Sequence, residues 1–211
     1  LTANYFFDVS NNLKGRVTAG YLEWMYGGVT GELLYLPDTK HWGVSIDASF
    51  VKQRNYKQDF GFRDYQTVTA FLNLYYDIPF YNLNIKSSIG KFLGTDKGID
   101  LDISRRFDNG SVVGARVGLT DCDAQCVGEG SFNKWIYFTL PLDEFYQKTT
   151  TNGHAGYQWA PLTKNAAQKV VTPNLYRINT ESQVGADILR KKNWSFKKLL
   201  SGFATTKKER I

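Results

Sequence analysis

Asp100 and Asp102 stand two residues apart in the run GIDLDISRRFDNGSVVGARVGL, Gly98–Leu119. On an extended chain both carboxylates point to one face. Such a pair could bind a cation or do the acid–base work of glycoside hydrolysis. Lys86, Arg106 and Arg116 lie in neighbouring alternating runs, so cross-strand ion pairs can occupy the same carboxylates. Charges enclosed by a sheet have to be paired. This requirement favours an ion-pair network over catalysis.

A second group is Asp59, Arg63 and Asp64 in the longest connection, KQRNYKQDFGFRD, beside Phe60, Phe62 and Tyr65. It could contact glycan through its aromatic faces, or pack on itself around an Arg–Asp pair. His41 and His154 have no partner at metal-ligand or triad spacing, and structural or solvent roles are expected for both. Cys122 and Cys126 have no nearby histidine for a zinc site, and a small loop disulfide would suit an oxidising compartment. Gly128-Glu129-Gly130 reads as a tight loop, because no helix follows to make a phosphate cradle. The expectation is no catalytic residue, no metal and no cofactor.

The elements that must position these residues are strands. Period-2 alternation recurs through the first two thirds of the chain. Val44, Ile46, Ala48 and Phe50 oppose Ser45, Asp47 and Ser49. Val68, Ala70, Leu72, Leu74 and Tyr76 oppose Thr67, Thr69, Phe71 and Asn73. In the opening run Ile99, Leu101 and Ile103 oppose Asp100, Asp102, Ser104 and Arg106. After the turn Asp108-Asn109-Gly110, Val113, Ala115, Val117 and Leu119 oppose Gly114, Arg116 and Gly118. About nine strands are expected, as an antiparallel meander without an intervening helix. One face carries Asp47, Lys86, Asp100, Asp102, Arg106 and Arg116, and the opposite face is apolar.

Which face meets water is the open question. Mean hydropathy is −0.37, and no run of about 18 apolar residues is present, which excludes a membrane-spanning helix. A transmembrane β-barrel stays open, since its strands alternate and average out as hydrophilic. The connections after even-numbered strands include the two long ones, while those after odd-numbered strands are short. Outer-membrane barrels sort their loops in this way. Trp24, Tyr26, Trp42, Tyr75, Tyr76, Phe80, Tyr81, Phe92, Trp135 and Tyr137 lie mostly near strand ends, as aromatic girdles do. Nine strands cannot close an even-numbered barrel, so a strand is expected from before Leu1, from the tail or from another chain. On the same parity everything after Leu142 is expected at the short-turn, periplasmic end.

The net charge of +6 belongs to the tail, because residues 187–211 hold eight Lys/Arg against two Asp/Glu. The rest of the chain is neutral, and no nucleic-acid partner is expected. Within the tail, Leu189, Phe196, Leu200 and Phe203 share one helical face among lysines and arginines. Such a helix could lie on an anionic membrane or pack on a partner domain.

Four strings go further: YLEWMYGGVTGELLY (Tyr21–Tyr35), VKQRNYKQDFGFRDY (Val51–Tyr65), SRRFDNG (Ser104–Gly110) and GEGSFNKWIYFTLPLD (Gly128–Asp143). They resemble the C-terminal part of the YjbH family. Its members are bacterial outer-membrane proteins linked to exopolysaccharide and capsule production, and they include the GfcD-like proteins. LTKNAA (Leu162–Ala167) is similar to that family's post-barrel segment. The paired cysteines and the basic tail have no place in the family pattern. The resemblance implies location and pathway, and carries no catalytic motif.

The resulting expectation is an all-β, antiparallel up-and-down transmembrane β-barrel, or the C-terminal portion of one. Residues 1–142 would form strands, 143–186 a largely irregular periplasmic post-barrel segment, and 187–211 a basic tail with the character of an amphipathic helix. Its function would be to assist export or assembly of exopolysaccharide or capsule in the bacterial outer membrane, without catalysis. Expected partners are outer-membrane lipid, polysaccharide, other secretion-system proteins and the N-terminal part of a longer protein. The rival readings are an outer-membrane enzyme acting on glycan or lipid, a soluble β-sandwich or lipocalin-like binder, and a scaffold that recruits partners through the tail.

Overall fold

The structure is a computed structural model that describes residues 1–37, 41–78, 80–107, 110–127, 132–141, 154–160 and 165–179. The chain divides into two units, Leu1–Leu175 and Tyr176–Ile211. The basic tail, the Gly128–Gly130 loop and Asp108-Asn109 lie outside the described residues. Residues 176–179 of the second unit are helical.

The first unit is one antiparallel sheet of ten strands in sequence order. They are β1 (Thr2–Ser10), β2 (Leu13–Gly20), β3 (Tyr26–Tyr35), β4 (Trp42–Arg54), β5 (Phe62–Ile78), β6 (Leu83–Lys91), β7 (Lys97–Arg106), β8 (Val112–Thr120), β9 (Asn133–Pro141) and β10 (His154–Trp159). One short helix, α1 (Ala124–Val127), precedes β9. Each strand pairs with its sequence neighbour. Among the described residues β1 and β10 do not pair with each other, so the sheet is open where the expected barrel would close. Both edges are thinly supported: β1 is exposed along nearly all its length, and β10 has six residues, all exposed where described.

The tenth strand corrects two expectations. The stretch after Leu142 contains β10, so it is not wholly irregular. Because β10 reverses the chain again, the sheet ends at the end that holds residues 55–61, not at the short-turn end. Twelve residues separate β9 from β10 at the supposedly short-turn end. The sorting of loops by length, and the argument that placed the tail, therefore lapse.

The two faces of the sheet have inverted polarity. A sheet in water buries its apolar face and wets its polar one. Here Arg16 is 1% exposed and Glu32 4%, and Thr18, Thr30, Ser49, Asn73, Ser88 and Asp100 are buried. On the opposite face Ile46 is 61% exposed and Leu119 57%, with Phe50, Val68, Leu72, Ile99 and Phe138 also exposed. Strand alternation sets both faces at once, because successive side chains point to opposite sides.

The polar face is covered by the chain itself. After β10 the chain turns at Asn165–Gln168 and lays residues 165–175 along it. An apolar cluster sits there at the 55–61 end, where Tyr26, Val51 and Leu93 pack with Leu22, Met25, Tyr65 and Val170. Gly90 and Gly98 face each other across β6 and β7. A Cβ on either would come within 2.0 Å of a neighbouring strand's carbonyl oxygen, that of Ala70 or Leu119. Only glycine permits this approach, which marks a sharp bend of the sheet.

Candidate functional site

Register places most charged residues of the polar face on two cross-strand rows, with Asp100 opposite Ser88 and Gly118 beside the second. Arg16, Glu32 and Asp47 are successive partners on β2, β3 and β4. Lys86, Asp102, Arg116 and Trp135 are successive partners on β6, β7, β8 and β9. Every member of the two rows except Trp135, together with Thr69, Phe71 and Asn73 of β5, lines one cavity of about 210 Å³ between the sheet and residues 169–174. Seven strands separated in the sheet by ~4.8 Å each can share so small a space only if the sheet curls around it.

Each carboxylate in the cavity has a donor. Arg16 Nη2 donates to Glu32 Oε2 at 3.2 Å, with both side chains essentially buried. Arg116 Nε donates to the two oxygens of Asp100 at 2.9 and 2.7 Å, and its guanidinium lies 4.4 Å from the Trp135 ring. Tyr137 Oη donates to Asp102 at 2.8 Å, and Asn73 Nδ2 to Asp47 at 2.5 Å. The site is therefore a wired polar interior with no bare carboxylate pair.

The post-β10 segment is bound into the same network. Asn165 Nδ2 donates to Tyr26 Oη at 2.6 Å, and the Ala167 N–H to Asp96 Oδ2 at 2.8 Å. The N–H groups of Leu93 and Gly94 donate to the carbonyls of Gln168 and Asn165, both at 3.0 Å, so two tight turns interlock. Deeper in, Lys169 Nζ lies 3.9 Å from Asp100 Oδ1 and 4.2 Å from the Phe71 ring. Asn174 Nδ2 donates to Tyr75 Oη at 2.8 Å, and the Leu175 N–H to Glu32 Oε2 at 3.1 Å. At the rim the Val171 N–H donates to Glu23 Oε2 at 3.1 Å. Burial pushes the Glu23 carboxyl above the usual range, and the Val171 N–H partly offsets the rise.

Of the residues singled out from sequence, Asp47, Lys86, Asp100, Asp102 and Arg116 converge on the cavity. Arg106 does not: it ends β7 opposite Val112, away from the lining. Of the expected partners only Arg116 pairs with the Asp100–Asp102 group, while Lys86 stands opposite Asp102 without a hydrogen bond among the described residues.

In the long loop neither Asp59 nor Asp64 forms an ion pair with Arg63 among the described residues. Arg63 lies over the Tyr56 ring at 4.1 Å. The Gly61 N–H, and then the Asn55 amide, hold the Asp59 carboxyl below the usual range. The arginine that ties this loop is Arg54, which donates to the carbonyls of Glu23, Trp24, Gln58 and Asp59 and stacks 4.2 Å over Tyr21. Cys122 is disulfide-bonded. His41 is exposed, and the side chain of His154 lies outside the described residues. Among the described residues no group of three or more His, Cys, Asp or Glu could hold a metal ion.

Reading from sequence missed Arg16, Glu32, Lys169 and Asn174. Arg16 and Glu32 each stood in an alternating run, but the register in which neighbouring strands pair was not visible there.

Fold and site together define a class: an all-β antiparallel meander with a hydrogen-bonded polar interior and an exposed apolar outer face. Comparison with known proteins narrows it. The sequence profile of the YjbH family, described as "Exopolysaccharide biosynthesis protein YbjH", matches residues 1–181. "Uncharacterized lipoprotein YjbH" of Escherichia coli (strain K12) is 39% identical over 174 residues, covering 81% of this chain and 25% of the relative. The chain belongs to the YjbH family. It spans about a quarter of the length of that curated relative. No solved structure matches it.

Proposed function

We propose that this chain is a wall segment of an outer-membrane β-barrel that assists export or assembly of a bacterial exopolysaccharide or capsule, without catalysing bond cleavage. The observation that carries the reading is the inverted sheet. A continuous exposed apolar face is stable against lipid and costly against water. A buried charged interior is what an enclosed polar path or a filled barrel presents. The edges of β1 and β10, which have no partner among the described residues, suit further strands from a longer protein, in keeping with the greater length of the E. coli relative. The family description supplies the pathway, and the lipoprotein name of the relative agrees with an envelope location.

The non-catalytic part rests on the wiring. Asp100 and Asp102 are each engaged by a donor, so neither carboxylate is left free to act as an acid or base. Deleting the coding region for residues 1–175 should abolish surface polymer while leaving its intracellular synthesis intact. Normal surface polymer in the deletion strain would defeat the proposal. Release of the protein from membranes by carbonate, without detergent, would defeat its membrane part.

A further inference from the structure

The hydrogen-bond inventory of the interior is unbalanced. The cavity lining holds four cations, Arg16, Lys86, Arg116 and Lys169, and four carboxylates, Glu32, Asp47, Asp100 and Asp102. Each carboxylate already accepts a bond from an arginine, a tyrosine, an amide or the backbone. The two lysines are the groups without a hydrogen-bonded acceptor, one buried and one half-buried. Lys169 Nζ is buried without a hydrogen-bond partner, and the nearest carboxylate oxygen, on Asp100, is 3.9 Å away and already takes Arg116. Lys86 faces the same cavity and makes no hydrogen bond among the described residues. A buried ammonium lacking an acceptor is costly, so a site that keeps one, Lys169, on the same cavity as the half-buried Lys86 is built for something that brings acceptors.

We infer that this cavity binds one carboxylate-bearing sugar residue of the polymer, with the carboxylate between Lys86 and Lys169. This deepens the proposed function by naming the substrate class, and it rests on that reading. The volume of about 210 Å³ has room for about seven waters at ~30 Å³ each, enough for one pyranose ring and not for a chain. Ser49, Thr69, Thr172 and Asn174 supply donors and acceptors for ring hydroxyls. With cations and carboxylates already equal in number, one added negative charge is tolerated better than two. A carboxylate therefore fits where a phosphate dianion does not.

The test is calorimetric titration of the full chain in detergent micelles with trigalacturonate, maltotriose and inorganic phosphate. Trigalacturonate should bind about tenfold or more tighter than maltotriose, the scale of one charge-assisted hydrogen bond. Phosphate should bind more weakly than trigalacturonate. Lys86→Met and Lys169→Met should each erase the preference for the acidic sugar, and Lys86→Arg should keep it. Equal binding of the two sugars by the wild-type chain, no binding of either, or phosphate binding as tight as trigalacturonate would each overturn the inference. So would methionine variants that keep both the preference and a wild-type circular dichroism spectrum. None of these results bears on whether deletion abolishes surface polymer, so the two proposals fail separately.

Discussion

Leu72 lies at the centre of the outward face and offers the most direct test of what that face meets. On β5 the outward positions run Val68, Ala70, Leu72, Leu74 and Tyr76, with Asp64 and Gln66 beyond Val68. Eight residue steps from Val68 to Tyr76 span about 27 Å along the strand, or roughly 21 Å normal to a membrane at a barrel strand's tilt. That approaches the ~25 Å apolar band of outer-membrane barrels. Leu72 is 41% exposed and sits four residues from either end of the band, between Ile46 on β4 and Ile89 on β6. Leu72→Arg should therefore destabilise the protein by about 2–4 kcal/mol, the cost of an arginine at the bilayer midplane, and Gln66→Arg by about 0–1 kcal/mol. Urea unfolding in phospholipid vesicles, followed by tryptophan fluorescence, reads both values. Arginine scanned through 66, 68, 70, 72, 74 and 76 should give a cost that peaks near 72. A flat profile within about 0.5 kcal/mol is what a water-exposed face gives, and it would refute the lipid assignment.

Two further substitutions probe the interior and the curl of the sheet. Glu32→Gln leaves the buried Arg16 without its counter-charge, so a loss of about 3–5 kcal/mol is expected. Amide exchange at Asn174 and Leu175 should accelerate with it, and unchanged exchange there would mean that the segment is not seated on Glu32. Gly98→Ala drives a Cβ to within 2.0 Å of the Leu119 carbonyl, whereas the nearest atom to a Cβ at Gly31 is 3.9 Å away. The first should cost about 1–3 kcal/mol and the second far less. Equal urea midpoints for the two variants would contradict the bend.

Much of this was legible from period 2 alone. Ile99, Leu101, Ile103, Val113, Val117 and Leu119 face outward and Asp100, Asp102 and Arg116 inward, because alternation is local and the strands are long enough to display it. β10 was less visible: Ala155, Tyr157 and Trp159 do alternate with His154, Gly156 and Gln158, but over only six residues with a glycine among them. The covering segment has no period at all. Its contacts join residues more than 70 positions apart, such as Ala167 with Asp96 and Leu175 with Glu32. Its one trace in the sequence was the string LTKNAA. The structure gives that likeness a physical reason: Asn165 bonds to Tyr26, and Ala166 and Ala167 are buried so close to Gly94 and Gly118 that a Cβ on those glycines would come within 3.0 and 3.2 Å of them.

Glu32 shows why an interior of this kind specifies one arrangement. In an apolar core, neighbouring packings differ little, since dispersion contacts are many and undirected. Here one carboxylate receives the Arg16 guanidinium from β2 and the backbone of Leu175 from the covering segment. A slip of one residue in either partner strands a buried charge, which costs more than several apolar contacts return. A two-residue slip of β2 keeps its side chains facing inward but puts Thr18 or Lys14 where Arg16 stood, and neither presents a guanidinium fork. Register is thus held by chemistry at a few points, not by volume along the whole strand. The same directionality bears on function. A ligand that offers a better acceptor can compete for individual donors of the segment while the sheet's backbone ladder stays intact. An interior wired in this way can be both uniquely folded and locally exchangeable.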